Sequence, residues 1–182
     1  MTISFKSKIT HKLLNYFFLN KDSSSYINEL AKALQIDPKN TDRKLKELEV
    51  TGILKSEFKG KQRYFSLNTS NPLTEHYKEI FLKTFGFEQN LKDQLAKIKN
   101  IKEVIIFGSY AKQEMDEDSD IDLLIVGNHR VIEVQTIISA LQQEISREIN
   151  TINITSHELA EKIAKNDPFI HNIFNNKHIR LI

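Results

Sequence analysis

The sequence predicts an α+β protein of two modules, and three observations carry that prediction. Residues 8–68 hold a series of helical patterns that close on two strand-like segments around Lys59-Gly60-Lys61. Residues 101–155 alternate strand-like apolar runs with helical ones. Charge divides along the same line: residues 1–71 carry 13 Lys/Arg against 7 Asp/Glu, and residues 72–182 carry 13 against 17, within a total of +2. A basic front and an acidic back suggest modules with different partners. The expected boundaries are residues 1–70, connecting helices over 71–100, and residues 101–182.

In the front module, Ile9 to Leu19 is helical by its apolar pattern. Asp22 to Ser25 reads as a polar break, and Ser25 as the start of a helix over Tyr26–Leu34. Asp37 can cap a third helix whose first position is Pro38, where a missing N–H costs nothing. That helix runs to Val50, and Gly52 ends it. Ile53–Phe58 and Gln62–Leu67 read as strands of a hairpin, with Gly60 supplying the awkward dihedral of the turn.

Helix, helix, turn, helix and hairpin is the order of a winged helix-turn-helix. Residues 8–68 resemble winged-helix repressors of the ArsR and MarR type, most specifically over RKLKELEVTGILKSEFKGKQRYFSLN. The resemblance implies that the third helix enters a DNA major groove. Leu45 and Leu48 then face the core, leaving Lys39, Asn40, Arg43, Lys44 and Glu47 outward. Asn40 and Arg43 suit adenine and guanine edges. Lys59, Lys61 and Arg63 on the hairpin suit phosphates. Double-stranded DNA is the expected partner, and paired half-sites imply a homodimer. Dimerisation or protein docking is the other use of such a module.

Helices are expected over 73–84 and 87–98, separated at Gly86. Strand Lys102–Phe107 leads into Gly108-Ser109 and a short helix or turn, then an acidic loop, Glu114–Asp118. Strand Asp120–Val126, a helix over Ile132–Ile149, strand Asn150–Thr155, helices over 156–165 (capped by Ser156) and 168–175, and an edge strand over 178–182 complete the chain. Gly108 lets the backbone approach a phosphate, and Ser109 adds a hydroxyl and an N–H. Asp120 and Asp122 project from one face of a strand because side chains alternate. Paired carboxylates call for a cation, and oxygen ligation suits Mg²⁺.

Gly-Ser, ten residues, then Asp-x-Asp, set in SDIDLLIV, resembles the minimal nucleotidyltransferases of the DNA polymerase β superfamily. That resemblance implies a small mixed sheet flanked by helices. It places a nucleoside triphosphate on Gly108, Ser109 and Lys112, and Mg²⁺ or Mn²⁺ on Asp120 and Asp122, the catalytic pair. The tail HELAEKIAKNDPFIHNIFNNKHIRLI resembles proteins that fuse this domain to a winged helix.

Three positions depart from the family pattern. Lys112-Gln113 stand where Arg-Gly is usual. Lys lacks the planar fork that grips phosphate oxygens in pairs, and Gln lacks glycine's freedom. Asn150 takes the place of the third carboxylate, which leaves two of three acids. Glu148, two residues earlier, is a candidate displaced acid. His129 and Arg130 could meet the nucleotide or lie in a solvated loop. His157, His171 and His178 show no metal-ligand spacing.

The absence of cysteine excludes disulfides and thiolate metal sites. No apolar run approaches the ~20 residues that cross a bilayer, and no signal-peptide core is evident. The expected location is cytoplasmic, without membrane partners. Three function classes stay open. One is an enzyme that moves a nucleoside monophosphate to a protein, RNA or small molecule. The second is a regulator whose nucleotidyltransferase fold binds nucleotide or dimerises. The third is an antitoxin-like partner of a small helical protein.

Overall fold

A computed structural model describes Phe5, residues 7–116 and residues 118–182. The chain forms two compact units. One holds residues up to Gln89 together with Gln143–Ser146; the other holds Asn90–Gln142 and Arg147–Ile182. The structure is α+β: the first unit has the element order expected of a winged helix-turn-helix, and the second a four-stranded mixed sheet flanked by helices.

The first unit opens with α1 (Lys8–Leu19), β1 (Ser24–Tyr26), α2 (Ile27–Ala33) and α3 (Pro38–Val50). β2 (Leu54–Lys59), β3 (Gln62–Leu67) and α4 (Thr74–Thr84) complete it. The Asp37 side chain accepts from the Asn40 N–H at 2.9 Å, which fixes the start of α3. Leu45 and Leu48 are buried, as are Leu13, Phe17, Leu30, Ile53 and Phe65 of the same unit, so the outward face of α3 is the one its periodicity implies.

Two local expectations are corrected here. Ser24–Tyr26 is a strand rather than a polar break: it pairs antiparallel with β3, Ser25 opposite Phe65. The buried Ser25 hydroxyl meets Tyr16 Oη at 2.9 Å, so a serine can line this interior at little cost. The start of α2 consequently moves on by one residue. Glu29 accepts from the Tyr26 N–H at 3.4 Å, a three-residue spacing that Ser25 did not offer.

α5 (Phe87–Leu95) crosses the division between the units. The second unit contains β4 (Ile101–Phe107), α6 (Gly108–Lys112), β5 (Ile121–Gly127) and all but the last turn of α7 (Val131–Ile145). It continues with β6 (Ile149–Ile154), α8 (Ser156–Ala164), α9 (Pro168–Asn175) and β7 (Ile179–Arg180). Strand order is β6-β5-β4-β7. β5 and β6 run parallel; the other two pairings are antiparallel. Ile105, Leu124 and Val126 bury one sheet face against Leu159 of α8 and Ile170 and Ile173 of α9.

α7 stops at Ile145, four residues short of the expected end, because Ser146 takes φ +54° and turns the chain toward β6. The cap of α8 is Thr155, not Ser156. Thr155 Oγ1 accepts from the Glu158 N–H at 3.1 Å, and Glu158 accepts from the Thr155 N–H at 2.7 Å. Among the described residues, no helix is long and apolar enough to cross a membrane.

Candidate active site

The antiparallel β4–β5 pairing brings the end of β4 to the start of β5, with Phe107 opposite Asp122. Parallel pairing then sets Asp122 beside Asn150. One row across the sheet therefore reads Phe107, Asp122, Asn150, with Asp120 two residues before Asp122 and on the same face. Asp120 and Asp122 are both half-buried.

Gly108 has φ +73°, and a Cβ there would lie 2.4 Å from Asp122 Oδ2. The glycine is thus required twice, by its left-handed backbone and by the carboxylate lying against it. Ser109 is half-buried and Lys112 exposed in α6. Gln113, where the family pattern has glycine, still adopts φ +65° to close that helix. The left-handed backbone is kept although the residue is poorly suited to it, at a cost of about 1 kcal/mol.

Asn150 Nδ2 donates to Asp120 Oδ2 at 3.1 Å. Burial raises the Asp122 carboxyl above its ordinary value; the neighbouring Asn150 amide lowers it and the Asp120 charge raises it again. A carboxylate that is costly to ionise beside a second one is what a divalent cation relieves, so the residues fit Mg²⁺ or Mn²⁺. Glu148 precedes β6 and is exposed, and its carbonyl accepts from the Ile121 N–H at 3.0 Å. Its backbone is close to the pair. Among the described residues, no three His, Cys, Asp or Glu side chains converge as a metal site.

Arg147 is the site residue that sequence reasoning missed. It is 9% exposed, and Nη1 donates to the carbonyl of Asp116 at 2.9 Å and to that of Ser119. It ties down the acidic loop immediately before Asp120. Burial pulls its pKa down, and the charges of Asp116, Asp120 and Asp118 oppose that. Glu117 of this loop lies outside the described residues. The available signal was a single arginine between α7 and β6, opposite a run of acids.

Of the two alternatives for His129 and Arg130, the loop away from the acid pair is the one seen. They follow the far end of β5, roughly 20 Å along the strand from Asp122 at ~3.3 Å per residue. His129 instead meets Asn153 Oδ1 at 2.8 Å, and Arg130 pairs with Glu133 at 3.1 Å.

In the first unit, Lys39, Asn40, Arg43 and Lys61 are exposed as expected. Lys44 is mostly covered and pairs with Glu47 at 2.5 Å; Lys59 pairs with Glu57 at 2.9 Å. Arg63, expected at phosphate, is partly exposed and paired within its own unit. Nη2 meets Glu49 Oε2 at 2.6 Å, Nε donates to Ser56 Oγ at 2.9 Å, and the guanidinium lies over the Phe58 and Phe65 rings. It braces the hairpin against the end of α3.

A family model described as "Nucleotidyltransferase domain" matches residues 88–179, which contain all of this carboxylate site. The chain belongs to the nucleotidyltransferase domain family. A provisionally named protein adenylyltransferase of Methanocaldococcus jannaschii is 42% identical to this chain over 62 residues, 34% of this chain and 61% of the relative. The match thus spans less than two thirds of that relative's length. Among solved structures, a provisionally assigned nucleotidyltransferase from Sulfolobus solfataricus is similar at 24% identity, covering 41% of this chain and 68% of that one (TM-score 0.29). MepR, a transcription regulator of the Staphylococcus aureus multidrug efflux pump MepA, is similar at 25% identity, covering 50% and 67% (TM-score 0.36).

Proposed function

We propose that the second unit binds a Mg²⁺– or Mn²⁺–nucleoside triphosphate and transfers the nucleoside monophosphate slowly to a hydroxyl acceptor. The observation that carries this reading is the Asp122 carboxylate lying against Gly108, with Asp120 beside it. The triphosphate would lie against Gly108 and Ser109 with Lys112 at its edge, and Asp120 and Asp122 would hold the metal. A divalent ion there supplies Lewis-acid stabilisation of the α-phosphate and the leaving pyrophosphate. The acceptor oxygen forms a bond to the α-phosphorus, the bond to pyrophosphate breaks, and the hydroxyl proton goes to solvent. Asn150 has no basicity with which to take that proton. It orients Asp120 instead, which keeps the acid pair ordered while leaving the step slower by ~10²–10⁴ than with a general base. A protein hydroxyl is the acceptor this reading favours, supported by the name of the M. jannaschii relative.

Labelled nucleotides test this directly. Incubation with each of four α-labelled triphosphates and Mg²⁺ or Mn²⁺ should give slow, Asp120-dependent incorporation. Asn150→Asp should raise the rate at least ~10-fold by restoring a carboxylate base. Nucleotide binding without incorporation in either protein would leave a nucleotide-binding regulator as the reading.

We infer that the first unit docks on double-stranded DNA through Lys39, Asn40 and Arg43 at the start of α3, with Lys61 on the hairpin reaching phosphate. Support comes from the burial of the opposite α3 face and the exposure of these four residues. On a duplex selected from a random pool, Arg43→Ala should weaken binding roughly 10- to 100-fold, as loss of a base-edge contact does. Failure to retain any duplex from the pool would sink this assignment.

A further inference from the structure

An aromatic pair borders the carboxylates and has no part in the chemistry above. Phe107 immediately precedes Gly108 and pairs across the sheet with Asp122, so the two side chains share one face. The Phe169 ring stands edge-on to Phe107, with centroids 5.8 Å apart and planes at 82°. α9 packs on this face through Ile170 and Ile173, yet Phe169 in its first turn is left 42% exposed. Nor is the ring loosely held. Asp167 Oδ1 accepts from the N–H groups of Phe169 and Ile170, both at 3.0 Å. Asp167 Oδ2 pairs with Lys162 at 2.9 Å, and Pro168 fixes the first helical dihedral. A partly exposed aromatic ring is therefore held on a stiff helix start, beside the phosphate turn.

We propose that Phe169, backed by Phe107, is the platform on which the base of the bound nucleoside triphosphate stacks. This rests on the nucleotide reading given above and extends it to the base. A triphosphate anchored at Gly108 and Asp122 carries one flat apolar group, and the Phe107–Phe169 pair is the aromatic surface at that end of the sheet. Stacking accepts any base and favours the larger purine face. The site should thus rank purine above pyrimidine triphosphates without an absolute requirement for one base.

The test uses the full chain and two ligands with Mg²⁺: a non-transferable α,β-methylene analogue of ATP, and inorganic tripolyphosphate, which lacks the base. Calorimetric titration should show Phe169→Ala weakening the analogue about 10-fold or more, the usual worth of one base–aromatic stack. Tripolyphosphate affinity should stay unchanged, and Phe169→Tyr should retain both. Equal weakening of both ligands would make Phe169 a structural prop and overturn the proposal. So would unchanged analogue affinity, including the case where only the KM for acceptor rises. If the wild-type chain binds neither ligand, the nucleotide reading itself falls, an outcome distinct from failure of the Phe169 assignment alone.

Discussion

Asp122→Ala should abolish metal-dependent nucleotide binding, weakening it on the order of 10²-fold or more, because a metal clamp supplies several kcal/mol and this carboxylate is half of it. The fold should not suffer. Asp122 is half-buried, and its carboxyl is pushed up by burial and by the Asp120 charge. A group whose folded-state pKa is raised contributes stability below its unfolded value and loses it as pH rises through the folded one. Once ionised, Asp122 is therefore a net burden on the metal-free protein. The alanine variant should melt at the same temperature as wild type or higher, while losing the ligand-induced rise in Tm. Parallel loss of Tm and binding would mean that Asp122 is structural.

Gly108→Ala should be as damaging to the site and harmful to the fold as well. The added Cβ would lie 2.4 Å from Asp122 Oδ2, and the backbone at φ +73° is strained for any L-residue. Strain of this kind costs about 1–3 kcal/mol, or a fall in Tm of roughly 3–10 °C for a chain of this size. Nucleotide affinity should fall with it, because Asp122 must swing away from the metal position. A double variant separates the two causes: with Asp122→Ala already present, Gly108→Ala should cost less, since only the backbone strain remains. An identical cost in both backgrounds would show that the carboxylate contact plays no part.

The order of elements and the outward face of α3 were readable because periodicity, the Asp37-Pro38 start and the Lys59–Lys61 turn are local signals. Gly108 and the Asp pair were readable because their spacing records a β4–β5 pairing. What escaped depends on partners distant in sequence. Ser24–Tyr26 becomes a strand only because β3 is there to pair with it. Arg63 looks like a free cation until the fold sets Glu49 beside it. Arg147 gains its role from carbonyls some thirty residues earlier, and Phe169 from a ring sixty-two positions away. His129 was left between two readings for the converse reason: sequence proximity to β5 does not say which end of the strand holds the acid pair.

Asp122, held over Gly108 and reluctant to ionise, is the proposed metal ligand for a nucleoside triphosphate. Isothermal titration of wild-type protein with the Mg²⁺ complex of the non-transferable ATP analogue, in buffers of different ionisation enthalpy, measures binding and proton release together. A cation selects the ionised carboxylate. One-to-one, Mg²⁺-dependent binding should therefore release more protons as the buffer is made more acidic, with both signals absent in Asp122→Ala. Binding that is independent of Mg²⁺, or that persists unchanged in Asp122→Ala, would contradict the account.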